Sequence, residues 1–345
     1  LDFSLFNNRL SGTAEYYTTD TKDLLLSVNL PVTSGVSSYV GNVGSTQNKG
    51  WELSLNGVIL DNYNGWTWDA GVNIYSNKNK LISLASGMTE DQNNWWFVGK
   101  PLNVIYDYKK VGIWQTDAEA KQYEGPAGQA GMIRVAYTGD YNADGTPTRL
   151  IGAEDRQVLN ADPDFQGGFN TRVAYKNFDI SVVGLFQSGG ILNSTLYGSN
   201  GYLNINDGRR GQIDVDYWTP ENTDAQFPKP GGPTESNNPK YGSTSGYFDG
   251  SFVKLKTITL GYSLNKQWIK SAGMEKLKLY CTIQNPWVIY SPYHKVSGLD
   301  PETNSYANDA SNMAVAYSGN LSRLLTVGYN TPQSRNLILG LNIIF

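Results

Sequence analysis

The run Asp140-x-Asn142-x-Asp144-Gly145 is the stretch of this chain whose residue types and spacing come nearest to a metal site. Carboxylate and amide oxygens alternate there, and the glycine allows a sharp turn, as at the start of a calcium loop. Such a loop closes on an acidic ligand at its twelfth position, which here is Ile151. Asp155, outside the standard spacing, is the residue that could close the loop instead. The competing reading is a polar turn held by Asx hydrogen bonds. A second cluster, Trp95, Trp96 and Phe97, offers flat apolar faces that could stack on sugar rings or pack against a neighbouring loop or a partner. Trp114, Trp218, Tyr247 and Trp287 pose the same alternative. A glycosidase needs two carboxyls at a fixed separation on a rigid scaffold, and no spacing here singles out such a pair. With one Cys (Cys281) and one His (His294), the chain has no disulfide framework and no Cys/His zinc site. The expectation is a protein without catalytic residues, with His294 a loop residue.

The elements that would position these residues are strands. The chain has 345 residues, 27 basic and 31 acidic, a net charge of −4, and 12% aromatic residues. A slightly acidic balance argues against a nucleic-acid surface. Charged residues are 17%, below the roughly 25% usual for globular proteins. No run approaches the 18–20 apolar residues of a spanning helix. The uncharged stretch 24–48 is rich in Ser, Thr, Gly and Asn and reads as a loop. The opening LDFSLFNNRLSG has no basic start and no apolar core of a signal peptide, and already reads as a strand, which points to a processed or partial chain.

The dominant period is two. Trp66, Trp68, Ala70, Val72 and Ile74 share one face and Thr67, Asp69, Gly71, Asn73 and Tyr75 the other. Phe178–Gln187, Leu277–Ile283 and the closing Leu337, Leu339, Leu341, Ile343, Phe345 repeat the alternation, with Cys281 as a small apolar residue on an outer face. Eleven strands are expected: 2–8, 10–24, 47–60, 65–78, 101–115, 131–138, 165–176, 178–189, 249–263, 275–288 and 335–345. Short polar joints (7–9, 61–65, 176–177) contrast with long ones (25–46, 79–100, 190–248, 289–334), and a short helical turn is expected at 118–123. Short turns at one end and long loops at the other are the pattern of a transmembrane antiparallel β-barrel. Lipid cannot satisfy backbone groups, so only a closed ladder crosses it with strands. Abundant Tyr and Trp fit interfacial girdles. If Phe345 ends on the inner side, all short turns fall inside, provided a strand such as 131–138 lies between 116 and 164. A soluble β-rich carbohydrate-binding protein or glycosidase, with one face of its sheet buried, is the alternative, and a passive porin is another.

Five segments carry a family resemblance: NVGSTQNKGWELSL (42–55), DYNADG with AEDR (140–145, 153–156), FDGSFVKLKTITLGYSL (248–264), YCTIQNPWVIY through GLDPE (280–302) and SRNLILGLNIIF (334–345). In order and spread, they resemble the C-terminal part of SusC/RagA-type TonB-dependent outer-membrane transporters. The resemblance implies a single all-β region over 1–345, about half of a 22-stranded barrel, in the bacterial outer membrane. The plug, the TonB box and the first barrel half would belong to the rest of the same transporter. It further implies energy from TonB, a SusD-like surface lipoprotein as partner, an oligosaccharide or peptide as cargo, and no cofactor beyond the calcium weighed above. Phe345, ending an alternating strand with no trailing residues, looks like the assembly signal of such barrels.

Overall fold

The computed structural model describes residues 1–30, 32–194, 196–198, 215–230, 239–303, 305–306, 325–327 and 333–345. Parts of the expected long loops 190–248 and 289–334 lie outside the described residues. Nine consecutive antiparallel strands build one wall: β1 Asp2–Leu5, β2 Leu10–Asn29, β3 Ser38–Tyr63, β4 Trp66–Ser83, β5 Phe165–Tyr175, β6 Phe178–Ser188, β7 Phe252–Ser263, β8 Lys276–Gln284 and β9 Asn336–Ile344. Each pairs with the next in sequence, and a tenth strand, Val288–Tyr290, branches off to pair with β7. No helix among the described residues is long and apolar enough to cross a membrane.

The sequence alternation resolves into two faces. One cross-strand row runs Tyr63–Trp66–Tyr175–Phe178–Tyr262 over β3 to β7, then Leu279 and Leu341 on β8 and β9. Trp66 stacks on Tyr175 with centroids 4.4 Å apart, and Phe178 meets Tyr262 at 4.6 Å. The next row on this face is Leu60–Trp68–Val173–Ile180–Leu260–Cys281–Leu339, apolar throughout. These side chains are left in the open: Phe178 is 55% exposed and Leu339 75%. A face that apolar and that exposed suits lipid, with the aromatic row at the headgroup level. Even the indole N–H of Trp68 is satisfied, donating to Thr171 Oγ1 at 2.9 Å. The opposite face is polar. Asp69, Arg172, Ser181, Thr259 and Thr282 form one of its rows. Asp179 there takes Lys278 Nζ at 2.7 Å, and Gly261 beside them leaves the room a Cβ would fill.

The tight turns 6–9, 64–65 and 176–177 lie at the aromatic-row end, together with the connection 264–275, which folds into two short helical turns. Asn64 and Gly65 have φ of 50° and 85°, the two positive values a type I′ hairpin turn needs to match strand twist. The connections at the other end are 30–37, 84–164, 189–251 and 285–335. Residues 101–115 and 131–138, expected as wall strands, lie outside the wall. They form short strands, Val104–Asp107 and Lys110–Ile113, paired with Gln157–Asn160 and Ile133–Val135. Strands of three or four residues cannot span the roughly 9–11 positions a membrane requires. They pack one face into the connections instead, with Ile105 at 0% and Ile133 at 1% exposure, while Val111 and Arg134 stay exposed. Removing two strands preserves parity, which is why the short turns still share one end. The 24–48 stretch, expected as a loop, is largely strand, because β2 and β3 continue pairing up to Asn29 and Ser38. Beyond the bilayer a ladder needs no apolar face, so its uncharged polar sequence is no obstacle.

The packed core sits in the long connections. One cluster gathers Ile113, Trp114, Met132, Ile133, Ile151 and Trp218. Another gathers Leu192, Tyr197, Phe227, Phe248 and Tyr293. The expected helical turn is α1, Asp117–Glu124, capped by Thr116 Oγ1 accepting from the Glu119 amide.

Candidate functional site

Two cavities open where the long connections fold back onto the polar face of the wall. The first, about 390 Å³, is lined by Asn48, Asn77, Asn79, Asn103 and Gln166 with Tyr75 and Ser76. The second, about 330 Å³, adds Gln187, Asn193, Phe252 and Glu302. They share Asn103, Asp162, Pro163 and Gln166. The lining is rich in carboxamides, which both donate and accept hydrogen bonds. Asn79 Nδ2 donates to Asn48 Oδ1 at 2.9 Å, and Asn79 Oδ1 accepts the Leu102 amide at 3.0 Å. This pair ties the end of β4 to the start of the next connection. Asp162 accepts from Asn103 Nδ2 at 3.2 Å. Burial pushes its carboxyl above the usual carboxylate range, against the opposing pull of that hydrogen bond and of Lys78.

Two of the motif segments meet at this junction. Lys254 of β7, 1% exposed, reaches Asp300 at 2.5 Å and Glu302 at 2.9 Å, and Lys256 reaches Glu302 at 2.7 Å. The GLDPE turn is thereby fastened to the wall. Burial alone would raise the Glu302 carboxyl, but the two lysines outweigh it and hold it below its ordinary value. The turn follows the short helix α2, Pro292–Ser297, where His294 Nδ1 lies 2.8 Å from the Leu299 carbonyl. That contact makes His294 a structural residue of the turn.

The residues expected to bind ligands are not brought together. Asp144 Oδ1 accepts from the Thr146 amide at 3.0 Å and its hydroxyl at 2.6 Å, while Asn142 bonds across to Thr146. The Asp140 carbonyl accepts from Tyr137 and Thr148 hydroxyls. This is Asx-turn geometry. Asp155 sits beside the turn but is fully buried and turns its oxygens to other partners: Arg149 Nη1 at 2.5 Å, the Thr138 amide at 2.7 Å, Thr138 Oγ1 at 2.8 Å and the Gly152 amide at 2.9 Å. Burial favours its neutral form, but these donors prevail and hold the carboxyl well below the usual range. Among the described residues, no group of three or more His, Cys, Asp and Glu is placed to hold a metal ion.

Trp95, Trp96 and Phe97 sit in a small hairpin, Glu90–Asp91 pairing with Trp96–Phe97. Phe97 is 7% exposed and packs on Tyr106 with centroids 5.0 Å apart, whereas Trp95 and Trp96 are half-buried. Trp114 and Trp218 belong to the loop core, and Trp287 is exposed. Phe345 is 79% exposed, immediately after β9 at the short-turn end. The cavity amides were not singled out by sequence reasoning. Their signal is that Asn48, Asn77 and Asn79 repeat polar residues where β3 and β4 leave the apolar band.

Comparison with known proteins agrees with this architecture. A family model described as TonB dependent receptor-like, beta-barrel matches residues 1–185. TonB-dependent receptor P3 of Formosa agariphila is 32% identical, covering 100% of this chain and 33% of the relative. TonB-dependent receptor SusC of Bacteroides thetaiotaomicron is 29% identical over 88% of this chain and 29% of its own length. The chain thus spans about a third of the length of the curated relatives it matches. The solved structure of the RagAB peptide transporter superposes with a TM-score of 0.69 at 23% identity, covering 99% of this chain and 34% of that one. A lipid-facing girdle, a polar inner face, long connections at one end and a family match over more than half its residues lead to one assignment: the chain belongs to the TonB dependent receptor-like β-barrel family of the bacterial outer membrane.

Proposed function

We propose that the chain is the C-terminal part of the barrel of an outer-membrane importer for a bulky nutrient, an oligosaccharide or a peptide. In this reading the remaining barrel wall and a plug come from the same transporter. TonB supplies energy through that other part, and a SusD-like lipoprotein caps the outer mouth. The wall seals against lipid and the long connections shape the mouth. Passage is gated movement without bond chemistry.

The observation that carries the reading is the difference between the two ends of the wall. One end has tight turns below an aromatic row. The other is overlaid by packed connections with carboxamide-lined cavities against the inner face. Amides suit a neutral, polar, chain-like cargo, since each satisfies hydroxyl or peptide groups of either polarity. The relatives named SusC and RagAB support a lipoprotein partner. Trp95 and Trp96 are the aromatic contact candidates, while Phe97 of the same cluster packs on Tyr106. Phe345 serves as the assembly signal at the last strand.

The test uses the complete gene. Deleting the TonB box or TonB itself should abolish growth on the cognate nutrient while the protein stays in the outer membrane. An affinity tag should co-purify a surface lipoprotein encoded beside it. Uptake that persists without TonB would replace this reading with a passive porin.

A further inference from the structure

A third cavity, about 530 Å³, lies between the connections 84–164 and 189–251 and borders the second one at Ile191. Its chemistry differs from that of its neighbours. Lys109 and Lys110 line it, with Tyr108, Ser245, Tyr247 and Asp249. Lys110 is half-buried, donates to the Gln226 carbonyl at 2.7 Å and lies 5.5 Å over the Phe227 ring. Among the described residues no carboxylate pairs with it within 4 Å. Burial alone pushes its ammonium down to about 8. The two acids nearby are occupied. Asp249 Oδ1 takes the amide and hydroxyl of Ser251, and Asp107 Oδ2 takes the hydroxyls of Ser243 and Tyr247. Ser245 is 3% exposed, and among the described residues its Oγ has no hydrogen-bond partner. A buried hydroxyl without a partner costs free energy, and so does a desolvated ammonium without a counter-ion. Both are relieved by one kind of group, a small anion that accepts from each.

We propose that this cavity is a subsite for a carboxylate carried by the ligand, with Lys110 as its counter-ion and Ser245 Oγ as a hydrogen-bond donor. The inference rests on the import reading and adds acidity to its cargo: a neutral polar chain in the carboxamide cavities, with an acidic group in the third. A carboxylate fits better than a lone hydroxyl because only it answers the unpaired charge. The two sources of that chemistry are the C-terminus of a peptide and a uronic acid of a glycan.

The experiment measures binding to the full-length transporter in detergent by calorimetry with two matched pairs. These are tetra-alanine against its C-terminal amide, and trigalacturonate against its methyl ester. In at least one pair the free acid should bind about tenfold more tightly, the scale of one charge-assisted hydrogen bond. Lys110→Met should erase that preference, so that the two members of the pair bind alike, and Lys110→Arg should restore part of it. Ser245→Ala should reduce the preference severalfold while leaving thermal stability unchanged or raised, since the hydroxyl gives up no partner. Which pair responds names the source. Neutral and acidic members binding equally, or a preference that survives Lys110→Met, would overturn the subsite and leave the import reading standing. Binding of none of the four, together with TonB-independent growth, would remove both.

Discussion

Asp155 shows how a residue that looks like a ligand becomes a structural anchor. Its two oxygens take Arg149, two groups of Thr138 and the Gly152 amide, with none of the side chain exposed. Arg149 also stands over the Tyr137 ring at 5.0 Å, so the anchor joins the Asx turn to the aromatic core. Asp155→Asn keeps the shape but loses the charge, and should cost about 3 kcal/mol, the scale of breaking a buried ion pair. Limited proteolysis of the full-length protein would show it as faster cleavage within 84–164 with the wall intact. The pH dependence follows from the sign of the shift. The folded carboxyl titrates below its unfolded value, so the stabilisation is complete above the unfolded value near pH 4. It is lost as pH falls through the lower folded value. Protection of this connection should therefore weaken below about pH 4 and be nearly independent of pH from 5 to 8. In the Asp155→Asn variant that acid dependence should largely disappear.

At the scale of elements, each strand is defined by its two faces. Val182 and Val183 are neighbours in β6, yet Val182 lies in register with Thr171 and Ile258 on the lipid side and Val183 with Asn170 and Thr257 on the inner side. An arginine facing lipid at mid-strand costs about 2–4 kcal/mol, while one facing a wet interior costs little. Val182→Arg should lower the yield of folded, heat-modifiable protein in outer membranes, and Val183→Arg should leave it near wild type. Equal effects would mean the faces are misassigned. The fastening between β7 and the GLDPE turn makes a second prediction. Lys254 is buried and holds two carboxylates, whereas Lys256 is more exposed and holds one. Lys254→Met should loosen the β8–β9 connection by about 3 kcal/mol and Lys256→Met by under 1 kcal/mol. Relative protease cleavage rates in that connection would rank them.

For the whole molecule, the distribution of burial is inverted relative to a soluble sheet protein. Wall side chains such as Leu339, Phe178 and Trp66 are open on one face, and the tight packing is in the connections. Water cannot tolerate that outer face at this scale, so the full-length protein should need detergent or lipid to remain monodisperse. A monodisperse species in plain buffer, by light scattering, would contradict the lipid-facing assignment. The two carboxamide-lined cavities follow from the same arrangement, because they lie where polar connections meet a polar inner face.

The sequence by itself determined what is local. Period-two alternation in Trp66–Ile74, Phe178–Phe186 and Leu337–Phe345 specified both faces of β4, β6 and β9, because side-chain direction in a strand is fixed residue by residue. Asn64-Gly65 and Lys176-Asn177 marked the turns for the same reason. Residues 101–115 and 131–138 read as strands, and they are strands in part. Only the tertiary structure decided that they belong to the mouth and not to the wall, since that depends on what buries them. The candidate site was less legible still. Asn48, Asn103 and Asp162, or Lys110 and Ser245, come together from distant segments, and no local spacing encodes their meeting. Asp155 looked free to bind a metal until the fold supplied Arg149 and Thr138 as its partners. Whether a polar side chain is satisfied or available is a property of its neighbours, and those are set by how the connections pack.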